Sequence, residues 1–348
     1  MIGRGDRSPT QQALLKWAAL ACLVTLQVLV GVLYKVSQTG SNYTYSTYSA
    51  LAMAEAAKFG ISASIRARQR GVRIELDLRE PVTARSNLSA SIRILALALM
   101  YFVNNQLTFA LYLRADPASI NMLKSGSSIL TALVWCVCMG RLISASHWAF
   151  IVLQVTGLFL TQYDSCKDAL LLATPVYAAI AGSVLITAAS GVWNEHQLKT
   201  LPPGLHEQNM VLYAGGFTLN LLGHAVKKTA DPDGFPGFFQ GYGALSVGVV
   251  LVNACFGVTV TAVYKYADAV MKTLASAVTT VVIMVASATF FGLQPTATNV
   301  AGCITIIVAV ALYSVTPQVT EVKISARLRL MAIAVILAAI AIIAVITT

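Results

Sequence analysis

Ten stretches of about twenty mostly apolar residues follow one another with short polar breaks, near 13–36, 44–64, 92–113, 117–139, 145–163, 171–193, 209–227, 240–263, 270–292 and 297–315. A helix needs roughly 20 such residues to cross the hydrocarbon core of a bilayer, and Gly, Ser and Thr are tolerated inside it where helices touch. The pattern predicts an all-α polytopic membrane protein. Composition agrees: of 348 residues 57% are apolar and 11% charged, against roughly 25% charged in a soluble domain. A soluble enzyme, a disordered scaffold and a secreted disulfide framework are thereby excluded. An eleventh apolar segment, 328–347, is predicted to cross as well, because residues 331–347 hold no charge, Gly or Pro. The connections carry turn signals such as Ala115-Asp116-Pro117, Pro202-Pro203-Gly204 and Asp231-Pro232-Asp233-Gly234.

The net charge of +10 is a topology signal, since Lys and Arg concentrate in cytosolic loops. The loop after the second span carries Arg66, Arg68, Arg70, Arg73, Arg79, Arg85 and Arg93 against Glu75, Asp77 and Glu80. Together with Arg4, Arg7, Lys16 and Arg141 this places the N-terminus and the even-numbered loops in the cytosol. No nucleic-acid partner is called for; the lipid bilayer is the partner the charges report. Apart from Cys166 the cysteines lie inside spans, so no disulfide framework is read. Cys136 and Cys138 are two apart and point to different faces of a helix, which favours packing over metal binding. His224 is read as a packing or interfacial residue, and His147, His196 and His206 sit in or beside loops. There is no Walker-type phosphate loop, no nucleophile elbow and no metal arrangement. No cofactor and no enzymatic activity are expected.

A repeat gives the chain its functional outline. Lys124-x-x-x-Ser128-x-x-Thr131 in the fourth span recurs as Lys272-x-x-x-Ser276-x-x-Thr279 in the ninth, 148 residues on. Spacing of i, i+4 and i+7 puts the three side chains on one helix face. A lysine inside a span costs at least about 2.5–3.5 kcal/mol on insertion scales and usually faces a cavity or a partner. Two such faces around a central cavity would suit an anionic solute; the alternative for either lysine is snorkelling to the interface. Glu55 and Lys58, three apart on one face of the second span, read as a structural or gating ion pair.

Several motifs in order resemble one known family. Lys265-Tyr266-Ala267-Asp268, followed by Lys272, resembles the KYADNILKGFATS signature of nucleotide-sugar transporters of the CMP-sialic acid and UDP-galactose type, within the drug/metabolite transporter superfamily. Gly237-Phe238-Phe239-x-Gly241-Tyr242 is similar to that family's GFFYGY, and Gly191-Val192-Trp193-x-Glu195-x-x-Leu198-Lys199 to its GVYFEKILK. Ala54-Glu55-x-x-Lys58, Tyr101-x-x-Asn104-Asn105 and Asp116-Pro117-Ala118 also find counterparts, so the likeness covers about residues 12–316.

The resemblance implies a ten-helix fold of two inverted five-helix repeats, at about 12–165 and 170–316, in one transporter domain over 1–316. Residues 317–348 would add a cytosolic linker and an extra C-terminal transmembrane helix. It implies exchange of cytosolic nucleotide sugar for lumenal nucleoside monophosphate across a Golgi or ER membrane, by alternating access; a homodimer is compatible with this. Carried over by residue, Lys272 faces the nucleotide phosphate, and Asn209 and Tyr213 line the base and ribose region. Thr187 replaces a serine, and Tyr101, Asn104, Asn105, Ser127, Ser128 and Ser276 complete the candidate substrate-binding set with Lys124. The chain departs from the pattern in the fourth span, where the family lysine aligns with Ser127 and Lys124 stands three residues earlier, roughly 4.5 Å along the axis on the same face. Gln208 stands for an arginine, Val211 for a glutamine and Ile120 for an aromatic, and AVMKTLASA follows KYAD. Two other functions fit the same spans: transport of another anionic or amphipathic metabolite on this fold, and a membrane scaffold that does not transport.

The charge pattern makes a topology prediction. In sealed vesicles a tag at the N-terminus is expected on the cytosolic side and a tag after residue 348 protected in the lumen; a cytosolic C-terminal tag would mean that 328–347 does not cross.

Overall fold

The computed structural model describes residues 9–37, 43–75, 88–112, 114, 123–124, 126–140, 142–162, 174–201, 204–291 and 294–316. Outside the described residues lie the 328–347 segment, the 317–327 linker, Arg79 and Arg85 within 76–87, Asp116-Pro117-Ala118, Ile120 and Cys166.

The described residues form ten helices: α1 (Pro9–Val36), α2 (Thr47–Glu75), α3 (Leu88–Tyr112), α4 (Ser127–Met139), α5 (Ala145–Gln162), α6 (Thr174–Thr200), α7 (Leu205–Ala230), α8 (Ala244–Tyr266), α9 (Ala269–Phe291) and α10 (Ala297–Val315). Each falls on one predicted span, and there is no strand among the described residues. This is the only way a chain this apolar can cross a bilayer without a closed barrel, because each helix satisfies its own backbone groups. Six stretches, in α1, α3, α6, α8, α9 and α10, are long and apolar enough to span by length and composition alone. Two others, α2 and α7, carry Glu55, Lys58, Glu207, Lys227 and Lys228 and pack against each other. Several helices run past the apolar windows: α2 continues to Glu75 and α6 to Thr200. Hydropathy marks where hydrocarbon ends, whereas Ala, Arg, Gln and Lys are good helix formers in water too.

The packing is symmetric in the chain. α1 lies on α8 and α9, as α6 lies on α3 and α4. α2 lies on α8, as α7 lies on α3. α2 meets α7, α4 meets α9 and α5 meets α10, so every one of these contacts has its counterpart when α1–α5 is exchanged with α6–α10. α6 is buried around most of its circumference, and its Ala179, Gly182, Ser183, Ala188, Ser190 and Gly191 let neighbouring backbones come close. Large apolar side chains on the outside, among them Leu222, Val226, Leu251, Val285, Ile304 and Ile307, are exposed. In water such a surface would aggregate; against lipid tails it is matched.

The closest helix pair is α5 with α10. A Cβ placed on Gly302 would lie 2.7 Å from the carbonyl oxygen of Gly157, and one on Gly157 would lie 3.0 Å from that of Gly302. Asn299 Nδ2 donates to the Thr161 carbonyl at 3.0 Å, tying the same pair together at one end. Gly302→Val is therefore expected to lower the thermal unfolding midpoint in detergent by an overpacking cost of about 1–3 kcal/mol; an unchanged midpoint would show that the two backbones do not touch.

Candidate functional site

A cavity of about 280 Å³ lies among α1, α2, α3, α6, α7, α8 and α9. α4, α5 and α10 contribute nothing to its described lining. Each contributing helix turns a polar face inward from an otherwise apolar sequence. On α8 the face is Asn253, Gly257, Thr261 and Tyr264, at the i, i+4, i+8, i+11 spacing that aligns side chains on one side of a helix.

The polar groups are held by one another across helices. Asn104 Oδ1 on α3 accepts from Ser183 Oγ at 2.9 Å and from Thr187 Oγ1 at 3.4 Å on α6. The Asn194 amide donates to the Tyr101 hydroxyl at 2.9 Å. Tyr34 donates to Asn253 Oδ1 at 3.0 Å, and Asn220 Oδ1 accepts from Gln106 at 3.1 Å. On α7, Asn209 donates to Thr261 Oγ1 at 2.9 Å, and the Tyr213 hydroxyl lies 3.4 Å from the same oxygen. A buried polar group without a partner costs about 1–3 kcal/mol, so this bracing fixes which ends of the amides and hydroxyls remain for a ligand.

Three charges line the cavity: Glu55, Lys58 and Lys272. Lys58 Nζ sits 2.7 Å from Glu55 Oε1 and 5.5 Å from the Tyr213 ring centroid, over its face. The pair fits only because its neighbours lack side chains. A Cβ on Gly216 would lie 3.1 Å from the Glu55 carboxyl carbon, and one on Gly257 would run into the Lys58 side chain. Lys272 is different, because no carboxylate lies within ion-pair distance of it among the described residues. With Glu55 engaged by Lys58, one positive charge remains on the cavity wall, an arrangement that accepts an anion.

The sequence-predicted residues divide into two groups. Tyr101, Asn104, Asn105, Thr187, Tyr213 and Lys272 line the cavity, as do Glu55 and Lys58. Lys124, Ser127, Ser128, Asn209 and Ser276 do not. Asn209 braces Thr261 from behind. Ser276 donates to Gln27 Oε1 at 3.0 Å, joining α9 to α1, and Ser128 is buried within α4. Lys124 precedes α4, is partly buried, and lies within electrostatic reach of Lys272. His224 is buried, with Nδ1 2.9 Å from Ser46 Oγ. Sequence reasoning passed over Tyr34, Gly216, Asn220, Asn253, Gly257, Thr261 and Tyr264. The polar stripe on α8 was a readable signal; the two glycines were not, since only the fold brings them against Glu55 and Lys58.

The motifs occupy opposite ends of the cavity. Gly191–Lys199 on α6 and the Lys265–Asp268 turn between α8 and α9 meet at one end, where Lys199 Nζ donates to the Ala267 carbonyl at 2.6 Å and Lys265 to that of Leu198. At the other end, the loop holding Phe238, Phe239 and Tyr242 stacks with Tyr45 and His224. Gly241 turns that loop at φ 76°, and a Cβ there would collide with the Thr44 carbonyl. L-residues avoid this backbone region, so glycine is required.

With this geometry in hand the comparisons are specific. A model of the family described as nucleotide-sugar transporter matches residues 11–314. The chain belongs to the nucleotide-sugar transporter family. It is 29% identical over 201 residues to CMP-sialic acid transporter 3 of Arabidopsis thaliana, covering 56% of this chain and 50% of that one. It is 28% identical over 221 residues to CMP-sialic acid transporter 2 of Oryza sativa subsp. indica, covering 63% and 62%. The chain thus spans about half to three fifths of the length of these curated relatives. A crystal structure with a TM-score of 0.61 and 16% identity, covering 88% of this chain and 98% of its own, shares the fold. The named relatives are transporters, and this nucleotide-sugar transporter family member is a multi-pass membrane protein rather than an enzyme.

The ion pair gives a stability prediction. Glu55→Ala strands Lys58 in the wall and is expected to cost about 3 kcal/mol, the low end for breaking a buried pair. Adding Lys58→Met should recover most of that loss in thermal unfolding; no recovery would mean that the pair is not the reason.

Proposed function

We propose that the chain is a nucleotide-sugar antiporter, exchanging cytosolic nucleotide sugar for lumenal nucleoside monophosphate across a Golgi or ER membrane. The observation that carries this reading is the Lys272 ammonium, without an ion-pair partner among the described residues, in the wall of a cavity lined also by braced tyrosines and amides and the Glu55–Lys58 pair. An ammonium suits a phosphate as a point charge, while tyrosine rings and amide edges suit a base and ribose. At about 280 Å³ the cavity lies at the lower end of ligand pockets, roughly 300–1,000 Å³. It suits the monophosphate portion, and admission of the sugar requires the halves to move. The exchange-symmetric packing supports two inverted five-helix halves, about 12–165 and 170–316, rocking around a fixed site. The charge bias supports a cytosolic N-terminus, and the relatives' names make CMP-sialic acid the first substrate to try.

Counterflow tests the reading: purified protein in liposomes preloaded with CMP, UMP, GMP or AMP should accumulate the matching nucleotide sugar. No accumulation by folded protein with any preload would overturn it. Lys272→Ala is expected to weaken monophosphate binding about 30-fold, from about 2 kcal/mol for removing a charge partner at 1.4 kcal/mol per decade. Equal binding would remove Lys272 from the site.

Lys124, which stands off the described cavity wall, enters the same reading as a second cation near the phosphate. It lies within electrostatic reach of Lys272, and an anion between two like charges lowers the cost of holding them near each other. Lys124→Ala should therefore weaken monophosphate binding, and Ser127→Lys in that background should restore a good part of it, since a lysine's flexible four-carbon stem can span part of the gap between the two positions. An unchanged dissociation constant in Lys124→Ala would leave Lys272 as the one lysine at the site.

A further inference from the structure

Beyond the end of the cavity nearest Lys272 lies a junction built around one carboxylate. Glu195 is 1% exposed, and both its oxygens are engaged by three different elements. Trp135 Nε1 on α4 donates to Oε1 and Oε2 at 3.2 Å each. Lys199 Nζ, one turn along α6, donates to Oε1 at 2.7 Å. The backbone N–H of Ala269, the first residue of α9, donates to Oε2 at 2.7 Å. The first N–H groups of a helix have no partner within it and carry partial positive charge, so a carboxylate there is favourable. Asp268 occupies the adjoining position, accepting from the Met271 N–H at 2.7 Å through Oδ1 and from the Lys272 N–H at 3.1 Å through its carbonyl. The Lys199 and Lys265 contacts to the Ala267 and Leu198 carbonyls fasten the turn before α9 to α6 from the other side.

The register links this junction to the cavity. Ala269 and Lys272 are three residues apart, one turn on the same face of α9. Ser190 on α6 and Tyr264 on α8 are the last lining residues before the junction on their own helices. Lys272 projects from a helix whose first turn is held by Glu195 and Asp268, and among the described residues it makes no ion pair.

We propose that Glu195 is the positioning residue for Lys272: its hydrogen bond to the Ala269 N–H sets where the ammonium stands in the cavity and so how well the site tells a phosphate-bearing ligand from its nucleoside. The inference rests on the reading of Lys272 as the phosphate contact. Glu195 touches no ligand itself; it acts through the seat of α9.

The test is the ratio of dissociation constants for a nucleoside and its 5′-monophosphate, measured on the purified full chain with the best-binding member of a CMP, UMP, GMP and AMP panel. General loosening of the fold weakens both ligands, whereas misplacing Lys272 weakens only the monophosphate. Glu195→Ala should lower the preference for the monophosphate about tenfold, the loss of one charge-assisted hydrogen bond at 1.4 kcal/mol per decade. Glu195→Gln, which keeps an oxygen for the Ala269 N–H, should stay within about threefold of the unaltered protein. Ala269→Pro deletes that N–H at the helix position where proline is best tolerated, and it should reproduce the Glu195→Ala ratio even if the latter variant folds poorly. In a Lys272→Ala background neither change should move the ratio further, because the residue they act through is gone. A ratio unchanged by both Glu195→Ala and Ala269→Pro, or lowered equally without Lys272, would overturn the inference. Absence of monophosphate binding by the unaltered protein would overturn the antiporter reading with it, whereas binding with an unchanged ratio overturns this inference alone.

Discussion

A charge carried into hydrocarbon must be met by an opposite charge, a set of hydrogen bonds or an enclosed polar space, and the arrangement of this bundle follows from how it meets each of its charges. Glu55 and Lys58 neutralise each other across one turn of α2, with Gly216 and Gly257 making room and the Tyr213 ring covering the cation. Glu195 is met by an indole, an ammonium and a helix N-terminus. Lys272 alone among the cavity's charges is met by space. The bundle has to keep a polar volume open around it, and the apolar faces of the same helices are left to lipid.

The two ends of that volume are flanked by different chemistry. On the α2 and α8 N-terminal side the flank is aromatic: Tyr43, Tyr45, Tyr242 and Phe239 meet edge to face or tilted, and His224 packs on Phe235 and Phe238. On the opposite side the flank is ionic, through Glu195, Lys199 and Lys265.

Close packing between helices depends on glycine and small residues placed where they cross. Gly157 and Gly302 bring α5 and α10 into backbone contact, and the small residues of α6 let it run through the middle of the bundle. With lipid tails as apolar as leucine, such contacts hold helices together by van der Waals fit and a few interhelical hydrogen bonds, not by expulsion of water. The pair formed by α5 and α10 takes no part in the cavity, which leaves it free to be packed for adhesion alone.

The sequence by itself determined the membrane, the ten helices and the three charges that line the cavity. Hydrocarbon thickness imposes a length on every span, and a lysine or glutamate within a span is too costly to be incidental; this is why Lys272, Glu55 and Lys58 were legible. The ordered signatures at Gly191–Lys199, Gly237–Tyr242 and Lys265–Asp268 likewise carried the family. They did not carry what those signatures do structurally, because Glu195 reaches the Ala269 N–H across 74 positions of chain and no local pattern marks that meeting. Only the tertiary structure decided that Lys124, Ser127, Ser128, Asn209 and Ser276 stand off the cavity wall while Thr261, Tyr264 and two glycines stand on or against it. Periodicity says which residues share a face of one helix; which face meets which neighbour is settled by how all ten pack at once, and that is a property of contacts between residues far apart in the chain.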